Sequence, residues 1–412
     1  MRRREFLAGA AALSAAAQTP PDFSALRADF PRAMNETYFN SAAQHPLGNH
    51  TVQAMHRYLD FLHKGPGEGR EDFWETGYRE VKPMFAKLIG AKPSEIVFTA
   101  STTVGENTIL NGMDFGGGNI VTNDLHYTSC LANYKHRQKQ GLDVRIVRHR
   151  DWRIDIKDME RAVNNKTKLI AVSWVSSVNG HREDLKALSD LAHAHGAYLF
   201  ADIIQGTGAV PLDVKAMGVD FASCAMYKWL QGEHGFGFLY CREDLGGSVV
   251  KPRLFGGSLD FNYRPWIPHP KPGVPELQEK VPTGVASLEC GTPSVITYAG
   301  QHASFKYIEK LGVERIQAHA QTILGRLRRE LSSRGYTPIT PEDAKTSILT
   351  FLCDAAKVRE KIQRANQQGR SRILLAGPNS ALTVGRFGTH LRFSASVFNN
   401  QQDVDKILEI LA

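Results

Sequence analysis

Residues 197–241, "AYLFADIIQGTGAVPLDVKAMGVDFASCAMYKWLQGEHGFGFLYC", decide the fold. Three strand-like apolar runs lie in this stretch, at 197–202, 220–227 and 236–241. Between the last two sits Lys228, flanked by Tyr227 and Trp229 and followed by three glycines. A lysine in aromatic company has two readings. Its methylene stem can lie along the rings with the ammonium in water. Alternatively, the amine is desolvated and kept partly neutral, ready to form a Schiff base with a carbonyl.

Further runs precede these: "EIVFTA" (95–100), "NIVTND" (119–124), "DVRIVRH" (143–149) and "KLIAVSWV" (168–175). Helix-compatible stretches such as "DLKALSDLAHAHG" separate them. Strand and helix in this alternation predict an α/β domain: a mostly parallel, seven-stranded buried sheet flanked by helices. After about residue 295 the pattern changes to long amphipathic helices, then short strands and a closing helix, "DVDKILEIL", as in a smaller α+β C-terminal domain. The Pro-, Gly- and aromatic-rich segment 256–277 reads as a long surface loop.

The chain has 412 residues and a formal charge of +8, with Lys and Arg scattered and no basic run interleaved with aromatics, so nucleic-acid binding is not expected. The start, "MRRREFLAGAAALSAAAQTPP", has a basic head, an apolar stretch and small residues near Ala17. Its Arg3-Arg4 pair followed by Phe6-Leu7 resembles a twin-arginine export signal, which predicts a removable segment 1–17 and a periplasmic or otherwise exported protein. No other stretch is long and apolar enough to span a membrane. The five cysteines show no metal-ligand or redox spacing, and no metal is expected. His193 and His195 read as residues near a helix end.

Ligands of open α/β sheets bind at the carboxyl ends of the strands. There, Ser101, Thr102 and Thr103 open a helix, either as plain caps or as a phosphate cradle. No G-x-G-x-x-G or G-K-[ST] fingerprint accompanies them. Asp202 ends a buried run, either as a cap or as the partner of a protonated pyridine nitrogen. Together with Lys228 these are the anchors that pyridoxal 5′-phosphate (PLP) requires.

On "FADIIQGTGAVPLDV" followed by "YKWLQGEHGFGFLY", and over about residues 37–409, the chain resembles the class V, fold-type I PLP-dependent transferases: aminotransferases, cysteine desulfurases, kynureninase and isopenicillin N epimerase-like proteins. The resemblance implies that Lys228 bonds the cofactor aldehyde, Asp202 pairs with the ring nitrogen and Gln205 reaches the ring hydroxyl. Thr102 and Thr103 fall in the phosphate loop, and Thr292 falls where a neighbouring subunit completes it. His126, or in its place Tyr127, falls at the ring-stacking position. Ser177 lies near the cofactor hydroxyl, with Asn179 as the other register, and Tyr227 precedes the lysine. Arg392 matches the arginine that grips a substrate carboxylate. His45, Arg253, Tyr263 and Arg386 are further candidates for shaping specificity.

The implied organisation is a signal at 1–17, an N-terminal segment 18–37 packing on the small domain, a PLP-binding domain 38–295 and a small domain 296–412, in a homodimer with shared active sites. Desulfurases carry a nucleophilic cysteine shortly before the carboxylate-binding arginine. This chain has none after Cys353, and "YKWL" looks more like the epimerase-like branch. The reaction expected from the resemblance is transamination of an amino acid. Epimerisation or a carbon–sulfur or other β-elimination is the alternative, and a non-catalytic binding protein is a further one.

Overall fold

The computed structural model describes residues 23–65, 78–256, 282–291, 293–372, 374–376 and 389–412. The expected signal, most of the 256–277 loop, and the candidates Tyr263, Thr292 and Arg386 lie outside the described residues.

All seven runs form strands of one sheet. After a short β1 (Thr37–Tyr38) come β2 (Ile96–Thr99), β3 (Asn119–Asn123), β4 (Asp143–Val147), β5 (Thr167–Ser173), β6 (Tyr198–Asp202), β7 (Phe221–Ala225) and β8 (Gly237–Cys241). Their order across the sheet is β2-β8-β7-β6-β5-β3-β4. Strands β3 to β7 run parallel, and β8 runs antiparallel to both its neighbours.

Helices α1 (Pro31–Asn35), α2 (Asn49–Lys64), α3 (Tyr78–Leu88), α4 (Thr102–Gly112), α5 (Thr128–Lys139), α6 (Ile156–Ala162) and α7 (Leu185–Ala194) interleave with these strands. Successive side chains of a strand point to opposite faces, so Leu199 and Ala201 enter one core while Phe200 enters the other. All three are fully buried, because α4 and α5 cover the Phe200 face while α3, α6 and α7 cover the opposite one. Covering both faces removes any need for polar alternation along the run. Each large apolar side chain so buried contributes about 2 kcal/mol.

The long amphipathic stretch after residue 295 is two helices, α8 (Val295–Leu311) and α9 (Val313–Ser333). They break at Gly312, whose φ of 80° is open to glycine at little cost. Strands β9 (Thr337–Pro338), β10 (Ile348–Cys353), β12 (Leu374–Ala376) and β13 (Thr389–Ser394) form an antiparallel sheet in the order β12-β13-β10-β9. Helices α10 (Ala355–Gln367) and α11 (Gln401–Leu411) complete this region. Its separate core includes Leu327, Phe351, Phe393 and Val404, and takes Phe39 from the far end of the chain. Beside Phe39, β1 pairs in parallel with β11 (Ser371–Arg372), Arg27 meets Asp403 at 2.7 Å, and Phe23 stacks on His319. Among the described residues, no helix is long and apolar enough to cross a membrane.

Candidate active site

The carboxyl ends of the parallel strands surround a pocket of about 470 Å³, mouth included. It is lined by Ser101, Thr102, Thr103, Ser177, Asp202, Gln205, Tyr227 and Lys228, so the structure brings together most of the residues singled out in the sequence.

Lys228 follows β7 in a turn closed by the Gln231 N–H donating to the Lys228 carbonyl at 2.9 Å. Gln231 takes a left-handed φ of 57°, a conformation rare for a residue with a side chain. Only 5% of Lys228 is exposed, and Nζ lies 5.5 Å from the Tyr227 ring centroid and 5.7 Å from that of Tyr127. Burial drives its pKa down to about 8, opposed by the charge of Asp202 and assisted by that of Arg392. Among the described residues it has no ion-pair partner within 4.0 Å. A desolvated amine aimed into a pocket is the second of the two readings given above.

Asp202 closes β6. Its Oδ1 accepts the Ile204 N–H at 3.1 Å, and its Oδ2 lies 3.4 Å from the Ser173 hydroxyl. Burial raises its pKa, while the Ile204 N–H pulls it down. Gln205 is fixed at both ends of its amide: Nε2 donates to Ala42 O at 3.0 Å, and Oε1 accepts from the Trp229 indole at 3.1 Å. One amide hydrogen remains for the pocket. Trp229 thus belongs to the scaffold and Tyr227 to the wall.

On the opposite side, Ser101 caps α4 by accepting the Val104 N–H, and Thr102 Oγ1 accepts the Ala225 N–H at 2.9 Å. Both hydroxyls keep their hydrogens, and the first N–H groups of α4 have no intrahelical acceptor. Helix α4 comes this close to β7 because Gly105 has no side chain; a Cβ there would meet Ser223 Oγ at 2.2 Å.

Arg392, on β13, is 4% exposed and donates to the Ser177 carbonyl, while its Nε has no hydrogen-bond partner among the described residues. Burial lowers its pKa to about 10. Arg392 does not itself line the pocket; it is joined to the wall through its bond to the Ser177 carbonyl.

Three further candidates are placed differently from expectation. His126 is not on the pocket wall: it is 2% exposed and turned into the core, with Nδ1 2.8 Å from Ser173 Oγ. Tyr127 lines the pocket in its place. His45 is buried with both ring nitrogens engaged, Nδ1 by Pro46 O and Nε2 by Ser396, and burial lowers its pKa to about 4. Arg253 is exposed and donates to Asn111 O. Neither His45 nor Arg253 lines the pocket. The sequence reading missed Ser129 and Ser173, which do. Ser173 ends β5 as Asp202 ends β6, so the same strand-end rule finds it.

PLP fits these residues. A neutralisable amine is available for its aldehyde, a carboxylate oxygen short of hydrogens would suit its ring nitrogen, and hydroxyls with a helix N-terminus would suit its phosphate. Fold and pocket together define a PLP enzyme of fold-type I.

Residues 37–407 match the family described as Aminotransferase class-V. A probable cysteine desulfurase of Methanothermobacter thermautotrophicus is 30% identical over 315 residues, 75% of each chain. A cysteine desulfurase of Haloferax volcanii is 25% identical over 95% of this chain and 96% of its own. Among solved structures, an apo cysteine desulfurase from Thermococcus onnurineus superposes with a TM-score of 0.78 at 24% identity, over 96% of this chain and 98% of its own. The chain belongs to the class V aminotransferase family.

Proposed function

We propose that this enzyme is a PLP-dependent lyase that cleaves a carbon–sulfur bond of a sulfur-bearing α-amino acid by β-elimination, without passing the sulfur to a thiol of its own. The observation that carries the PLP chemistry is Lys228, buried with a pKa near 8 between Asp202 and the pocket hydroxyls. The choice of reaction is supported by the relatives, several of which are named cysteine desulfurases, and by a cystine C–S lyase of the same fold at a TM-score of 0.78. No cysteine follows Cys353 in this chain. Cys130, Cys224 and Cys241 are buried and their thiols are pushed up, by burial first of all, so they supply no thiolate.

When bound, PLP withdraws electrons from the substrate and stabilises negative charge at Cα. Arg392 holds the substrate carboxylate, and Asp202 keeps the ring nitrogen protonated. With PLP bound, the Lys228 amine would take the Cα proton and hand it to the sulfur that leaves Cβ, and water would convert the released enamine to a 2-oxo acid and ammonia.

The test supplies cysteine, cystine and S-alkyl cysteines to the purified enzyme and measures sulfide or thiol together with 2-oxo acid. Stoichiometric release of both, abolished in Lys228→Ala, is the expected result. Transfer of the amino group to an added 2-oxo acid without sulfur release overturns it in favour of transamination, the reading the family description favours. Cα proton exchange with retained amine points instead to epimerisation. Borohydride reduction followed by peptide mass mapping locates the cofactor on Lys228 independently of the substrate.

The same reading includes a homodimer, supported by the exposed Leu62, Leu254 and Phe255, and export directed by residues 1–17. Light scattering of the purified chain and N-terminal sequencing of protein recovered from its host compartment test these two points.

A further inference from the structure

Behind the pocket wall lies a buried cluster that the mechanism above does not use. Glu106, on α4, is 1% exposed. Its carboxylate accepts from the Cys130 thiol at 2.6 Å and from the Tyr134 hydroxyl, and its Oε1 lies 3.5 Å from His126 Nε2. Burial alone would raise its pKa, but His126, Cys130 and Tyr134 outweigh burial and hold it below the usual carboxylate range.

On the other side of the imidazole, Nδ1 lies 2.8 Å from Ser173 Oγ. That oxygen accepts the Tyr127 N–H at 3.2 Å and lies 3.4 Å from Asp202 Oδ2. Ser173 has one hydrogen and two claimants for it. Which one receives it depends on where the imidazole carries its own proton. Nε2 is buried, has no hydrogen-bond partner among the described residues and faces a carboxylate. A lone pair there is repelled by the anion, whereas an N–H is attracted. With the proton on Nε2, Nδ1 becomes the acceptor for Ser173, and Asp202 Oδ2 receives no hydrogen from that side chain.

We propose that Glu106 is a positioning residue for the cofactor site: by fixing the His126 ring proton on Nε2, it commits the Ser173 hydroxyl to Nδ1 and leaves Asp202 Oδ2 open to the protonated ring nitrogen of PLP. Only the last link rests on the cofactor reading, since the tautomer of His126 is a property of the protein alone.

The experiment labels the histidines of the full chain with 15N and reads from the ring shifts which His126 nitrogen carries the hydrogen, the signal being assigned by its loss in His126→Asn. In the wild-type protein before PLP is added, the hydrogen is expected on Nε2. Glu106→Gln keeps the shape, removes the anion, shifts the hydrogen toward Nδ1 and weakens PLP binding about tenfold. Glu106→Asp, which keeps the charge, retains the wild-type tautomer. A wild-type ring protonated on Nδ1 alone overturns the proposal, and this measurement decides even if Glu106→Gln does not fold. An unchanged tautomer and unchanged PLP affinity in a folded Glu106→Gln overturn it too. Failure of PLP to attach to wild-type Lys228 overturns the cofactor reading, and with it the link to the ring nitrogen, whatever the tautomer.

Discussion

Asp202 and Asp220 stand on neighbouring strands of one sheet, at its opposite edges. Asp220 immediately precedes β7, and Asp202 ends β6. They are 0% and 2% exposed, and burial is the largest influence on each, raising both pKa values. Their partners differ. Asp220 accepts the Leu199 N–H at 2.8 Å, His193 Nε2 at 2.8 Å and the Arg242 guanidinium. Asp202 has one backbone N–H and a hydroxyl at 3.4 Å. The raised pKa therefore does not separate structure from function, because structural ion networks perturb titration as well. The shortfall of hydrogens does, and it falls at the carboxyl edge, where such sheets bind ligands.

The sharpest break of this comparison is a pair of substitutions. Asp202→Asn is expected to lower turnover about a thousandfold while leaving the unfolding midpoint close to wild type. Asp220→Ala is expected to cost about 1–3 kcal/mol, since it leaves the buried Leu199 N–H without its acceptor while Arg242 keeps Asp244, with turnover per folded molecule unchanged. Denaturant titration beside steady-state kinetics reads both, and loss of activity from a folded Asp220 variant would erase the distinction. A smaller effect tests Arg392, on β13. Arg392→Lys should raise KM for amino acids about a hundredfold and leave amines without a carboxylate nearly untouched, because lysine lacks the two-pronged fork.

Lys228 sharpens the same contrast through stability. Its folded pKa, about 8, lies below the ordinary 10.5, so the unfolded chain binds more protons between those values. Stability of the PLP-free protein therefore rises with pH across that window, and the burial penalty is fully felt below it. Lys228→Met should stabilise the PLP-free chain by about 2 kcal/mol near neutral pH and flatten the pH dependence of its unfolding. Least in size, the rate of PLP capture should rise about tenfold between roughly pH 7 and pH 9, as the amine loses its proton. A flat profile would mean that the amine is already neutral or never the attacking group.

Much of this was legible in the sequence, for a physical reason. Strands covered on both faces must be continuously apolar, so a polar residue at the end of one, such as Asp202, stands out. Lys228 stood out by its aromatic neighbours. Strand order and the reversal of β8 were not legible, because apolar runs carry no sign of direction. The exchange of His126 for Tyr127 on the wall was equally hidden, since adjacent residues diverge and the sequence does not say which way each turns. Glu106 looked like an ordinary polar residue of a helix. What sets it apart is burial against Cys130, Tyr134 and His126, which only the packing of α4 on α5 creates.

Phe39 gives the fold an order in time. Its core partners run from Ala320 to Leu411, so a chain emerging from the ribosome carries Phe39 without any of them until some 280 further residues are made. The large sheet, complete by Cys241, has its strands in hand long before. The pocket residues are thus made early, and Arg392, the arginine proposed to hold the substrate carboxylate, arrives late, with the region that buries Phe39. Nascent protein cut short anywhere between β8 and β13 has every residue of the pocket lining but lacks Arg392.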